Sequence, residues 1–189
     1  MKRLITTFLV SRWERAAMRA FVMGRYAEAE DNFRRIREAQ PDKFAIGHNL
    51  GLVCLAQERH QEAADYFHAE LDNFGETYMR VKALGDTYYI WGKREKCMEF
   101  YSRTLELCEH EGDRRLISRR MGLCADPATF AVAMESQRLL REGNRLMAEG
   151  DLDGSCEAFR KAAELDDSNF QAWNNLGALE MNHKKNIPA

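Results

Sequence analysis

Asn49-Leu50-Gly51 recurs as Ala83-Leu84-Gly85, 34 residues on, and Arg141-Glu142-Gly143 is followed at the same interval by Asn175-Leu176-Gly177. Each glycine falls inside a segment whose apolar residues recur at helical spacing. A glycine in a helix interior costs roughly 1 kcal/mol relative to alanine, so four at one phase require a cause. Close approach of a neighbouring helix at that point supplies one. A fixed period of this length indicates helical hairpins stacked in a row, offering a long binding surface rather than an enclosed pocket.

Laid on this period, the chain divides into an N-terminal helix extension (1–9), three gapless units (10–43, 44–77 and 78–111), an interruption (112–135), a fourth unit (136–169) and a terminal helix (170–189). The eighth place of successive units reads Ala17, Gly51, Gly85, Gly143 and Gly177. The fourth reads Trp13, Gly47, Val81, Leu139 and Trp173, and the seventh Ala16, Leu50, Leu84, Glu142 and Leu176. Spacings of three and four put these places on one helical face. A turn follows at Met23-Gly24-Arg25-Tyr26, Gln57-Glu58-Arg59-His60, Trp91-Gly92-Lys93-Arg94 and Glu149-Gly150-Asp151-Leu152. Glycine just past the last periodic residue is a helix stop. A second helix then carries a small residue and, four places on, an aromatic: Ala29/Phe33, Ala63/Phe67, Cys97/Tyr101 and Ser155/Phe159. Pro41 closes the first unit where a helix must end.

This pattern resembles the tetratricopeptide repeat: a large residue, leucine and glycine in the first helix, alanine and an aromatic in the second. Trp173-Asn174-Asn175-Leu176-Gly177 and Ala158-Phe159-Arg160-Lys161-Ala162 carry the likeness most clearly. The chain departs from it at Glu142, which stands for leucine, and at Glu70 and Thr104, which stand for alanine. The resemblance implies an all-α, right-handed superhelical solenoid of antiparallel helix pairs. The fifth unit has a first helix and then Asn182-His183-Lys184-Lys185-Asn186; with Glu180 it fits a polar terminal cap, and equally an array that continues past it.

In the interruption, Gly112-Asp113 is expected to close the third unit's second helix. Arg114 to Leu123 reads as a short basic helix. Asp126-Pro127 reads as a helix start, Asp at the N-cap and Pro at the first helical position. The helix of the fourth unit is then unusually long, or the segment is a worn repeat that kept one helix.

Bulk properties fit a soluble helical protein. Of 189 residues, 45% are apolar and 31% charged, and the net charge of −2 gives no global attraction to nucleic acid or anionic membrane. No stretch approaches the ~20 apolar residues that cross a bilayer. The start, Met1 to Val10, faintly imitates a signal peptide but lacks a small-residue cleavage site. Five scattered cysteines without C-x-x-C read as reduced thiols, so the expected location is the cytoplasm.

Catalytic motifs are missing: no phosphate-cradling glycine loop, G-x-S-x-G or H-E-x-x-H occurs. Neither cofactor nor metal is expected. His48, His60, His68, His110 and His183 show no i, i+4 pairing, and Cys108 and His110 diverge on a helix. Asp151-Leu152-Asp153-Gly154 is a turn rather than a calcium loop.

The resemblance implies a partner site on the concave face, at five places of each first helix. These are Glu14, Met18, Phe21 and Val22; His48, Leu52 and Leu55; Met79, Lys82, Asp86, Tyr89 and Ile90; and Gln137, Leu140, Asn144 and Met147. Asn49 fits one place of the clamp by which some members hold a chaperone tail. Glu14, Met18, Met79 and Ala83 occupy the others, which rejects that specificity. Methionines and aromatics suit adaptable capture of an extended or helical peptide; the competing reading is that Leu52, Leu55, Ile90 and Met147 pack between first helices. The expected function is a non-catalytic scaffold or adaptor for a protein or peptide. Two alternatives remain: a self-assembling subunit that could dimerise through its termini, and a regulatory module reading an anion through Arg114, Arg115, Arg119 and Arg120. Leu4, Ile5, Phe8 and Leu9 form an apolar stripe that would fold over the open end or dock a partner.

Overall fold

The computed structural model describes residues 2–185, and side chains from Phe8 to Met181. Among the described residues ten helices and no strands occur. The chain forms two units, Met1–Leu107 and Cys108–Ala189. Unit one holds α1 (Lys2–Val22), α2 (Tyr26–Ala39), α3 (Ile46–Ala56), α4 (His60–Phe74), α5 (Tyr78–Ile90) and α6 (Arg94–Glu106). Unit two holds α7 (Glu111–Cys124), α8 (Pro127–Glu149), α9 (Leu152–Leu165) and α10 (Phe170–Lys185). In each unit, consecutive helices joined by short turns pack in chain order, the arrangement of a helical solenoid.

The repeated turn has one geometry. In repeat one, Gly24 N–H donates to Phe21 O and Arg25 N–H to Ala20 O, at 3.0 and 2.8 Å. The same pair of bonds recurs at Glu58 and Arg59, at Gly92 and Lys93, and at Gly150 and Asp151. Both bonds satisfy carbonyls that the helix end leaves open, and they require a left-handed residue at the first position. Gly24, Gly92 and Gly150 supply φ of 71°, 79° and 87°; in repeat two Glu58 is forced to φ 59°.

Glycine at the eighth place is explained by the aromatic sixteen residues on. A Cβ at Gly51 would lie 2.6 Å from Phe67, one at Gly85 2.6 Å from Tyr101, and one at Gly143 2.5 Å from Phe159. The three rings are fully buried between their helices. Gly177 breaks the rule expected of it: no second helix lies against it among the described residues, and a Cβ there meets nothing within 4 Å.

A second size exchange occurs in repeat two. Gly47 replaces the large residue of the fourth place, and Glu70 replaces the usual alanine on α4. The Glu70 side chain fills the vacated space, with its Oε1 2.7 Å from where a Gly47 Cβ would stand, and remains only 5% exposed.

The core of unit one centres on Val10, Ala17, Phe33, Ile36, Ile46, Leu50 and Val53, with Trp13, Phe21, Tyr26 and Tyr66 against it. In unit two, Leu140, Phe159, Ala162, Ala172, Leu176 and Leu179 cluster together. Each fully buried valine, leucine, isoleucine or phenylalanine side chain among these contributes about 1.5–3 kcal/mol by leaving water. Glu30 on α2 adds a polar tie, accepting from Arg34 and from Arg59 at 2.5 Å each.

The interruption follows the expectation at one end and corrects it at the other. Asp126 caps α8, accepting from Ala128 N–H at 2.8 Å and Thr129 N–H at 3.0 Å, with Pro127 at the first helical position; α8 runs for 23 residues. Gly112-Asp113, however, does not close α6, which ends at Glu106. Both residues lie in the first turn of α7, where Glu111 and Asp113 complement the helix dipole.

Candidate functional site

The expected concave-face residues separate into an open set and a closed set. On α1, Met18 and Val22 are exposed, at 47% and 81%. Leu52 on α3 and Met79 on α5 are exposed likewise, while Leu55 and Ile90 are half-buried. Phe21 packs edge-on against Tyr26 at 5.7 Å and leans on the core. Asn49 is half-buried. These residues belong to three successive first helices of unit one; Met18 and Leu52 share the ninth place of their repeats, Phe21 and Leu55 the twelfth, and Val22 and Ile90 the thirteenth, whereas Met79 stands at the second and Asn49 at the sixth.

The charges of the same row pair within the chain. Glu14 meets Lys43 at 2.9 Å and Lys82 meets Asp86 at 2.5 Å. Tyr101 also donates its hydroxyl to Asp86 at 2.9 Å. His48 is half-buried, its ring 5.2 Å from that of Phe67. Burial holds the imidazole below its ordinary pKa; nearby Glu70 pulls upward and Arg80 pushes further down.

Three expected residues are corrected by their burial. Tyr89 is fully enclosed, its ring 6.2 Å from that of Tyr101, which is itself fully buried between α5 and α6. Leu140 belongs to the core of unit two, and Gln137 is 6% exposed. None of the three is available to a partner without repacking. Asn144 and Met147 on α8 are exposed, and Asn144 accepts from Asn175 Nδ2 at 3.0 Å.

The four arginines of α7 are engaged inside unit two. Arg114 donates to Cys108 O at 2.9 Å, and Arg115 pairs with Glu111 at 3.1 Å. Arg119 pairs with Asp167 at 2.7 Å, and Arg120 donates to Ser168 O at 3.4 Å. The last two reach the turn between α9 and α10 and tie α7 to it.

Two features escaped the sequence reading. Phe44 and Phe74 meet edge-on at 5.5 Å on the surface, with the Arg80 guanidinium 5.1 and 5.6 Å from their ring centres. Arg80 is held there by the carbonyls of Phe74 and Gly75. The other feature is Glu70, a departure from the repeat pattern whose burial only the packing reveals. Of the apolar N-terminal stripe, Phe8 is 66% exposed. The side chains of Leu4 and Ile5 lie outside the described residues, as do those of the Asn182–Asn186 stretch. Cys54, Cys97, Cys108 and Cys124 are buried and Cys156 is half-buried. No described helix is long and apolar enough to cross a membrane.

Comparison with known proteins follows the same lines. Tetratricopeptide repeat family models match residues 15–76 and 143–182. The chain is 22% identical over 191 residues to BBSome complex member BBS4 of Mus musculus, an alignment covering 93% of this chain and 36% of that protein. It therefore spans about a third of this curated relative. Among solved structures, YrrB, described as a TPR protein with an unusual peptide-binding site, superposes with a TM-score of 0.50 at 18% identity, covering 92% of this chain and 77% of its own. The MamA protein gives a TM-score of 0.49 at 12% identity, over 90% and 80%.

Proposed function

The chain belongs to the tetratricopeptide repeat family, and from that premise we propose that it is a non-catalytic scaffold that holds a protein or peptide on the first-helix face of its N-terminal unit. The observation that carries this reading is the set of exposed apolar side chains on the first helices α1, α3 and α5: Met18 and Val22, Leu52, and Met79, with Met18 and Leu52 at the same place of their repeats. The neighbouring charges neutralise one another as Glu14–Lys43 and Lys82–Asp86. A partner would therefore be selected by the apolar side chains it buries rather than by net charge. Flexible methionines accommodate more than one shape of side chain. The helices are already packed, so little ordering entropy is lost on this side of the complex. Five scattered cysteines without a C-x-x-C pair fit a reducing compartment, and the proposed location is the cytoplasm.

The test is affinity capture from native extract with the wild-type chain and with a Met18→Asp, Leu52→Asp, Met79→Asp variant. The variant keeps the wild-type circular dichroism and loses the partners that the wild type retains. An unchanged set of captured proteins would sink the proposal. The anion-reading alternative loses weight because its arginines already serve partners within unit two.

A further inference from the structure

We infer, on the basis of the function proposed above, that the apolar face of α1, α3 and α5 releases its partner when His48 takes up a proton. The neutral imidazole lets an apolar segment cover Leu52, and the imidazolium does not. His48 stands one turn from Leu52 on α3, at the spacing of four that shares a helical face. That helix packs against both α2 and α4, so its exposed face is not an end of the helical row.

The imidazole is half-buried and packs at 5.2 Å on the ring of Phe67, itself fully buried. Among the described residues, neither ring nitrogen of His48 bonds to another group of the chain. His68, by contrast, is tied through Nε2 to the Tyr88 hydroxyl at 3.0 Å. Solvent on the open side therefore serves the His48 nitrogens, and an apolar partner laid over Leu52 removes it. A neutral ring then loses hydrogen bonds to water. An imidazolium loses the solvation of a full charge as well, which costs far more.

The surrounding charges give the imidazolium no substitute for that water. Two act on the ring with opposite sign, Glu70 from α4 and Arg80 from α5. Glu70 is buried against Gly47, and among the described residues no ion pair joins it to His48. The Arg80 guanidinium is fixed by the carbonyls of Phe74 and Gly75, which keeps its positive charge in place. The fifth-place counterparts of His48 in repeats one and three are already engaged, Glu14 with Lys43 and Lys82 with Asp86. Burial outweighs these charges and holds the ring toward its neutral form. A covering partner deepens that burial, so proton and partner oppose one another by linkage.

The probe is Nile red, an uncharged dye that brightens on apolar surface, titrated into the full chain at about pH 7.5 and about pH 5.5, with circular dichroism confirming the fold at both. Binding is expected to weaken at least about threefold at the lower pH, and the ratio of the two affinities to return close to unity in His48→Gln. Reciprocally, saturating dye should lower the pH at which the His48 Cε1–H resonance titrates. Binding that the Met18→Asp, Leu52→Asp, Met79→Asp variant abolishes, yet that has the same affinity at both pH values, overturns the regulation alone. So does a pH ratio that survives His48→Gln. Dye binding that is absent, or untouched by the triple variant, means that the face takes up no apolar ligand, and overturns the proposed function together with its regulation.

Discussion

Gly51 and Phe67 are in contact so close that no larger residue than glycine fits: a Cβ at position 51 would stand 2.6 Å from the ring. Alanine is the better helix former, so its exclusion here measures how tightly the two helices of the hairpin are drawn together. Gly51→Ala, Gly85→Ala and Gly143→Ala are each expected to lower stability by about 1–2 kcal/mol, the overpacking cost outweighing the gain in helix propensity. Gly177→Ala is expected to raise it by up to about 1 kcal/mol. Urea denaturation midpoints of the four variants check both signs.

Glu58 carries the left-handed turn that glycine carries in the other three repeats. A side chain in that region costs about 1–2 kcal/mol. Glu58→Gly removes the cost and is expected to stabilise unit one by about 1 kcal/mol, read as a higher thermal midpoint. Gly92→Glu should do the reverse.

Tyr89 and Met18 separate packing from display. Tyr89→Asp puts a carboxylate into a fully enclosed position and is expected to unfold α5 and α6, a loss above about 3 kcal/mol. Met18→Asp changes an exposed residue and should stay within about 0.5 kcal/mol of the wild type. Circular dichroism on heating distinguishes them; equal behaviour would contradict the burial described for Tyr89.

His48 makes stability depend on pH. Its folded pKa lies below the ordinary value of 6.5 because burial disfavours the charged ring. The unfolded chain therefore binds the proton more readily, and the His48 contribution is intact above that value and lost as pH falls through it. Stability should decline between about pH 7 and pH 5, and the decline should be shallower in His48→Gln. Denaturation curves at the two ends of that range are the measurement.

Thiol accessibility sorts the cysteines. Cys54, Cys97, Cys108 and Cys124 are buried, and Cys156 is half-buried. Burial also pushes the Cys54 thiol above its ordinary pKa, against the pull of Arg59. One thiol per chain, Cys156, is expected to react with a maleimide under native conditions, and five after denaturation. Mass spectrometry of the labelled protein reports the number.

The hairpins, their turns and the start of α8 were legible because each rests on local chemistry: a period of 34, a glycine past the helix end, an Asp-Pro pair. The glycine phase even announced a close approach, though not which residue made it; that became plain only when Phe67, Tyr101 and Phe159 were found sixteen places on. The site was less legible. Place number alone put Tyr89 and Leu140 beside Met18 and Leu52, but a place fixes the direction of a side chain only when the neighbouring repeat is packed alike. Tyr89 is enclosed, its ring 6.2 Å from that of the buried Tyr101. The arginines of α7 looked unattached because Asp167 and Ser168 are 48 residues away from Arg119 and Arg120. Long-range partners of that sort leave no trace in spacing.

Glu70 filling the hollow beside Gly47 bears on how such a chain can be recombined. A hairpin is here the smallest exchangeable part, since its two halves have been fitted to one another in bulk. Grafting α3 ahead of α6 would set Gly47 opposite Thr104 and leave a hole; grafting α5 ahead of α4 would drive Val81 into the carboxylate. Chimaeras cut at the loops between hairpins should fold, and those cut at the tight turn within one should not.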